Sequence, residues 1–212
     1  MDTLHAVASP GGDSSKWRAP RFRPPFVRAG STKKGIVEGA GEPPEVQILT
    51  NGEPVRIQVF ESELTVPRSR AEVFRFFAEA GNLETITPSW LRFRILTPTP
   101  IRMECGAEIR YALRLHGVPV RWRTEITVWD PPHRFIDEQR RGPFRLWRHE
   151  HRFEEIPGGT RMTDLVEYTV PGGPLSHWIE RWFVRPDVER IFAHRGERIA
   201  ERFGADPFVS DR

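Results

Sequence analysis

Residues 121 to 155 read RWRTEITVWDPPHRFIDEQRRGPFRLWRHEHRFEE, and the alternation within them decides the fold. Val120, Trp122, Thr124, Ile126 and Val128 fall on one parity, while Arg121, Arg123 and Glu125 fall on the other. That is the pattern of a strand with one dry face and one wet face. The alternation restarts after DPPH (130 to 133) and again after RRGP (140 to 143), each of which supplies the Gly or Pro that a reversal needs. Ile109, Tyr111, Leu113 and Leu115 alternate before HGVP (116 to 119), and Met162, Asp164, Val166 and Tyr168 alternate after PGG (157 to 159). Strands at such regular spacing predict consecutive antiparallel hairpins.

Upstream, Val55, Ile57 and Val59 begin a first strand. Val73, Phe74, Phe77 and Ala78 then recur at helical spacing behind Ser69, with Glu72 three residues after it as in a capping box. Gly81 and Pro88 end this helix and a shorter second one, and Phe93 and Ile95 resume alternation. Downstream, Leu175, Trp178, Ile179, Trp182 and Phe183 follow helical spacing, and Val188, Ile191, Phe192 and Ile199 continue it beyond Pro186. Pro186 should kink this helix or begin its second part. Ile191, Phe192, Ile199 and Phe203 are expected to pack on Trp122, Ile126 and Tyr168. The predicted class is α+β: a curved antiparallel sheet of about six to seven strands, one or two short helices after the first strand, and a long C-terminal helix.

The first 52 residues differ. They are rich in Gly, Pro, Ser and Arg, include RAPRFRPPFVR (18 to 28) and sustain neither period, so a disordered tail is expected at 1–52. One domain should follow at 53–204, with a short C-terminal tail at 205–212. A basic tail also fits an organelle transit peptide, against which Asp2 and Asp13 weigh, or a mis-assigned start; no apolar run follows it as a secretory signal requires. The 38% apolar share and seven Trp suffice for one core. Net charge is +3, and all but Lys16, Lys33 and Lys34 of the 32 basic residues are Arg. Along the strands they interleave with Glu125, Glu150 and Glu154, which describes a solvated face and not a phosphate-binding stripe, so no nucleic-acid partner is expected. Cys105 is the single cysteine, which excludes an intramolecular disulfide or a zinc site of paired cysteines and leads to a cytoplasmic expectation. No run reaches the roughly 18 apolar residues of a membrane span. Oligomeric state stays open.

The same residues carry a resemblance. FESELTVPRSRAEVFRFFAEAGNLETITP, WLRFRI, the 121–155 block, GGTRMTDLVEYTVP and ERIFAHRGERI together resemble the START-like or SRPBCC superfamily of polyketide cyclase/dehydrase-like and ligand-binding proteins, over about Val55 to Phe203. DEQRRGPFRLWRHEHRF is similar to a bacterial subgroup within it. The resemblance implies a helix-grip fold, in which the sheet wraps the last helix with a ligand cavity between them. Because the superfamily holds carriers, receptors, cyclases and dioxygenase domains, it does not fix an activity.

Parity then selects the site. Arg148, Glu150, Arg152 and Glu154 share the wet face, so Trp147, His149, His151 and Phe153 point inward, as do Phe135, Asp137 and Gln139 on one neighbour and Met162, Asp164, Val166 and Tyr168 on the other. A three-residue RGP loop would set Asp137 opposite Trp147 and diagonal to His149, and a PGG turn would set His151 opposite or diagonal to Asp164. The expected lining is Trp122, Asp137, Gln139, Trp147, His149, His151, Phe153, Asp164 and Tyr168, around a small hydrophobic molecule such as a lipid, isoprenoid or aromatic polyketide. A carboxylate that fixes a His tautomer makes an acid–base pair, so His149, His151, Asp137 and Asp164 are also the catalytic candidates of a cyclase or dehydratase. Mutual satisfaction of buried polar groups accounts for the same residues. A third possibility is an interaction module whose pocket its own side chains fill. His149 and His151 with Asp164 or Asp137 could make a metal site, but no third histidine is clearly placed, so no metal is expected, and the absence of G-x-G-x-x-G, G-x-x-x-x-G-K-[ST] and G-x-S-x-G leaves no cofactor expected.

Overall fold

The computed structural model describes residues 46–50 and 53–205; most of the expected N-terminal tail (1–45, 51–52) and of the C-terminal one (206–212) lies outside the described residues. Eight strands make one antiparallel sheet: β1 (Val46–Thr50), β2 (Glu53–Val66), β3 (Arg94–Ile95), β4 (Glu108–Leu115), β5 (Val118–Asp130), β6 (Arg134–Arg141), β7 (Leu146–Ile156) and β8 (Gly159–Thr169). Their order is β1-β2-β8-β7-β6-β5-β4-β3. Seven are the strands the alternation predicts. The eighth, β1, pairs with the start of β2, Val46 opposite Ile57 and Thr50 opposite Glu53. The sheet therefore begins inside the segment assigned to the tail. VQILT suits a strand in composition but is too short for its period to stand out from the Pro- and Gly-rich flanks.

Between β2 and β3 lie α1 (Arg70–Phe77) and α2 (Asn82–Ile86), followed by a 3₁₀ turn at Ser89–Leu91. The Ser69 hydroxyl caps α1 by accepting from Glu72 N at 3.4 Å, while the Glu72 carboxylate pairs with Arg68 at 3.5 Å and does not close the capping box. The β4–β5 reversal is tighter than HGVP suggested. Only His116 and Gly117 form it, with φ of 49° and 82°, the two positive values that a type I′ hairpin needs.

The expected terminal helix is segmented. A 3₁₀ turn (Gly173–Leu175) leads into α3 (Ser176–Ile179), a π turn (Glu180–Val184) and then α4 (Arg185–Phe203). Pro186 sits in the first turn of α4, directly after the π turn. The stretch is helical as expected, but the wider π turn breaks the 3.6-residue period and the apolar stripe is not buried: Leu175, Trp178, Trp182 and Phe183 are 57–64% exposed. Glu180, within the π turn, is buried.

From Val188 onward the period holds, and α4 packs on the sheet as expected. Ile199 and Phe203 join Ile126 with Val73, Phe74 and Phe77 of α1; Phe192 and Val188 join Val166 and Tyr168; Ile191 packs against Trp122, Leu113 and Leu91. Tyr168 is fully buried and its hydroxyl donates to Glu180 Oε1 at 3.0 Å, tying β8 to the π turn. Replacing Tyr168→Phe removes the donor and leaves that carboxylate in its buried place. Hydrogen bonds to charged groups are worth about 1.5–3 kcal/mol, so thermal melts should fall by roughly 4–10 °C. An unchanged melting temperature would show that the bond contributes nothing.

Candidate functional site

The three strands β6, β7 and β8 bring two Asp and two His to one place on the inner face. Asp137 lies opposite His149, and His151 lies opposite both Phe135 and Asp164. The second pairing follows the expected register. The first does not, because the β6–β7 loop is wider than RGP: the ladder stops at Glu138 and Arg148. Gln139 closes the loop from inside, its Nε2 donating to Phe144 O at 2.7 Å and its Oε1 accepting from Phe144 N at 3.4 Å. A Cβ on Gly142 would meet Gln139 Oε1 at 2.1 Å, so this clamp requires glycine there. The register moves by two residues, and His149 replaces Trp147 opposite Asp137.

The four side chains form a closed arrangement. Asp164 Oδ1 lies 3.0 Å from His149 Nε2 and 2.7 Å from His151 Nδ1. The first contact is a hydrogen bond; the second is an ion-pair distance out of line for one, which leaves His151 Nδ1 without a hydrogen-bond partner. On the other side Asp137 Oδ2 lies 3.6 Å from His149 Nδ1 and 3.4 Å from His151 Nε2. The two imidazoles lie with centroids 3.8 Å apart, tilted by 42°, and His151 stacks on Phe135 at 4.2 Å. Thr124 Oγ1 reaches Asp137 Oδ1 at 3.1 Å and Glu138 O at 3.0 Å, with one proton for the two acceptors.

Burial and mutual charge set the protonation. Burial, with the charge of His151 added, pushes His149 down to about 4. Burial also disfavours charge on His151, but the carboxylates of Asp164 and Asp137 outweigh it and raise its pKa. Asp164 and Asp137 are held below the usual carboxylate range, since the histidines overcome the opposing effect of burial. The two carboxylates thus favour charge on His151, while burial favours the neutral form of His149.

A cavity of about 220 Å³ separates the inner face of the sheet from α4. Phe77, Leu91, Ile109, Leu113, Ile126 and Ile191 make much of its wall, and Trp122, Asp137, Trp147, His149 and His151 line it as expected. Four members of the expected lining stand elsewhere. Phe153 packs on Phe74 and Phe77 in the core, Tyr168 bonds Glu180, Gln139 clamps its loop, and Asp164 sits behind the histidines. Inward parity placed all four on the correct face but carries no information on depth. On the outer face Glu150 also departs from expectation, being almost fully covered by Arg134, Arg148 and Arg152 at 3.3, 3.3 and 2.8 Å; long Arg stems shield it from water.

Sequence reasoning passed over Tyr111, Thr124 and Arg195. Arg195 lines the cavity from α4, its guanidinium 5.0 Å from the Phe192 ring. Its signal was available: Arg195 continues the buried stripe Val188, Ile191, Phe192 at helical spacing, as a charge on an apolar face. Asp137, His149 and His151 bring ligand atoms within 4.8 Å of one another.

Because His149 stays neutral to about pH 4 when folded but takes up a proton near 6.5 when unfolded, its contribution to stability is intact above 6.5 and lost as pH falls toward 4, by about 3 kcal/mol. His151 acts oppositely: its contribution is full below 6.5 and is lost as pH rises through its elevated folded value. With EDTA in the buffer, chemical denaturation between pH 6.5 and 4 should show the acid loss, and His149→Gln should flatten it. An equally steep acid limb in the variant would assign that limb to other groups.

A family described as polyketide cyclase / dehydrase and lipid transport matches residues 66–193, more than half of the chain. No curated protein matches the sequence. Among solved structures, protein CV1439 from Chromobacterium violaceum aligns with a TM-score of 0.54 at 10% identity, over 70% of this chain and 99% of that one. TTHA0849 from Thermus thermophilus aligns at 0.51 and 19% identity, over 68% and 99%. Major latex-like protein 151 from Panax ginseng aligns at 0.50 and 10% identity, over 69% and 97%. Identities this low show a common fold alone. Among the described residues no helix is long and apolar enough to cross a membrane. With the family match running from the end of β2 into α4, and with the sheet wrapped on that helix, the chain belongs to the polyketide cyclase/dehydrase and lipid transport family of the SRPBCC, START-like superfamily.

Proposed function

We propose that the protein binds a small, mostly apolar molecule carrying at least one oxygen acceptor, and carries or sequesters it beneath α4. The observation that supports this most is the make-up of the cavity wall. Aliphatic and aromatic side chains dominate it, yet two buried N–H groups on residues of the lining, Trp122 Nε1 and Arg195 Nε, have no hydrogen-bond partner. A buried donor left unpaired costs about 1–3 kcal/mol, so a carbonyl, carboxylate or phenolate oxygen from a ligand would recover that loss. Isoprenoid, acyl and aromatic polyketide skeletons with one oxygenated end all fit this description, and the family's description as cyclase, dehydrase and lipid transport agrees with it. The volume lies somewhat below the roughly 300–1,000 Å³ common for ligand pockets, which favours a compact ligand.

A second reading has its own support. His149, neutral and braced by Asp137 and Asp164 on the same wall, has what a general base needs, and a bound carbonyl compound would meet it in an apolar setting where proton abstraction leads to cyclisation or dehydration. An interaction module with a filled pocket is the least supported, since the cavity is open.

Native mass spectrometry of freshly purified protein should reveal a co-purifying small molecule, and 1-anilinonaphthalene-8-sulfonate should bind saturably in its place. Leu113→Trp, which projects an indole into the cavity, should weaken the dye at least tenfold while the fold is kept. A parent protein with neither an adduct nor saturable dye binding would sink the proposal. Turnover of a bound carbonyl compound that disappears in His149→Gln while binding persists would promote the enzyme over the carrier.

A further inference from the structure

His149 and His151 leave β7 on the same face, two residues apart, and each ring presents one nitrogen to Asp164 and the other to Asp137. The two sides are not equivalent. On the Asp164 side the contacts, 3.0 and 2.7 Å, are those of hydrogen-bonded or ion-paired groups. On the Asp137 side they are 3.6 and 3.4 Å, beyond good hydrogen-bond length. These longer values approach the edge of a tetrahedron with bonds of about 2.0–2.1 Å, which is about 3.3 Å.

A neutral imidazole has a single N–H. If both rings turn theirs to Asp164, His149 Nδ1 and His151 Nε2 aim lone pairs at Asp137 Oδ2, and three electron-rich atoms converge within 4.8 Å. Such a convergence is relieved by a proton on one ring or by a cation among the three atoms. With neutral histidines the four residues carry a formal charge of −2; one proton on a ring cancels half of it, and a divalent ion cancels all of it. Net charge in a covered site is costly, so the ion relieves the larger imbalance. Much of the support is in place: Asp164 hydrogen-bonds His149 from behind and stands 2.7 Å from His151 Nδ1, and Thr124 engages Asp137 Oδ1, leaving Oδ2 as the ligand atom.

We propose that Asp137 Oδ2, His149 Nδ1 and His151 Nε2 bind a divalent transition-metal ion of the zinc class, with Asp164 orienting both histidines and a remaining coordination position open to the cavity. Two imidazoles and one carboxylate suit zinc or ferrous iron and not magnesium or calcium, which take oxygen ligands. All three ligand residues line the cavity while Asp164 does not, so the open position faces the space beneath α4. An oxygen of the occupant, or a water, would fill it. The three protein donors do not depend on what that occupant is.

The test uses the full chain, dialysed against EDTA and then titrated with zinc chloride by calorimetry and with cobalt(II) by visible absorption. The parent should bind one equivalent of each, and the cobalt form should show the intense d–d bands of a low-coordinate nitrogen and oxygen site. His151→Gln and Asp137→Asn, checked for folding by circular dichroism, should each weaken zinc at least 100-fold, Asp164→Asn about 10–100-fold, and exposed His133→Gln not at all. If His151→Gln does not fold, Asp137→Asn, which keeps the shape of the side chain, carries the comparison. No binding by the parent, or binding unchanged in Asp137→Asn, overturns the proposal. Metal binding without dye binding leaves this site standing and removes only the apolar-ligand reading.

Discussion

Every strand from Glu108 to Thr169 has to show one face to water and the other to α4, and the rest of the structure depends on that constraint. Because side chains alternate along a strand, a shift of one residue anywhere in the β4–β8 meander would carry arginines into the core and aromatics into solvent. The buried stripe of α4 has nothing else to cover it: Val188, Phe192, Ile199 and Phe203 each find their partners on the inner face of the sheet or on α1, which the same face supports. The cavity is the part of that interface that side chains leave unfilled.

Placing ionisable groups on the dry side of such a sheet is expensive, and the structure handles the two faces of β7 by different means. Outward, Glu150 is satisfied by three arginines whose apolar stems also hide it. Among the described residues no arginine is ion-paired with the inward cluster; two carboxylates instead share two imidazoles, a softer compensation. His149 and Glu150 are adjacent in sequence and both covered, yet one belongs to a saturated ion-pair network and the other to an unsaturated one. That difference is the ground on which a further ligand is proposed for the inner cluster.

Much of this was legible before any coordinates. The seven strands, the capped helix at Ser69, the packing of α4 and the inward course of Asp137, His149, His151 and Asp164 all follow from period and parity. What parity cannot give is depth and register. Phe153 and Tyr168 face inward like Trp122 but lie under other residues, and the β6–β7 register depended on a side-chain clamp, Gln139 on Phe144, that no turn rule encodes. The stretch 175–183 is helical as read, but its apolar stripe is exposed, because a π turn that leaves no compositional mark shifts the helical phase; β1 went unseen because five residues are too few to display a period. Arg195 was missed for a simpler reason: a charge on an apolar stripe was treated as an exception when it was information.

The strand order has a consequence for how the molecule assembles. From β3 to β8 every sheet neighbour is also a neighbour in the chain, whereas β2 pairs with β8 only after the whole meander intervenes, Val59 meeting Glu167. Short loops close early and cheaply, long ones late. The His–Asp cluster is drawn entirely from β6, β7 and β8, so its geometry belongs to the locally formed part of the sheet and precedes the final seam. By this logic the chain builds its polar centre first and encloses it last, and an intermediate lacking β2 and α4 would already present that centre, open, to the surrounding solution.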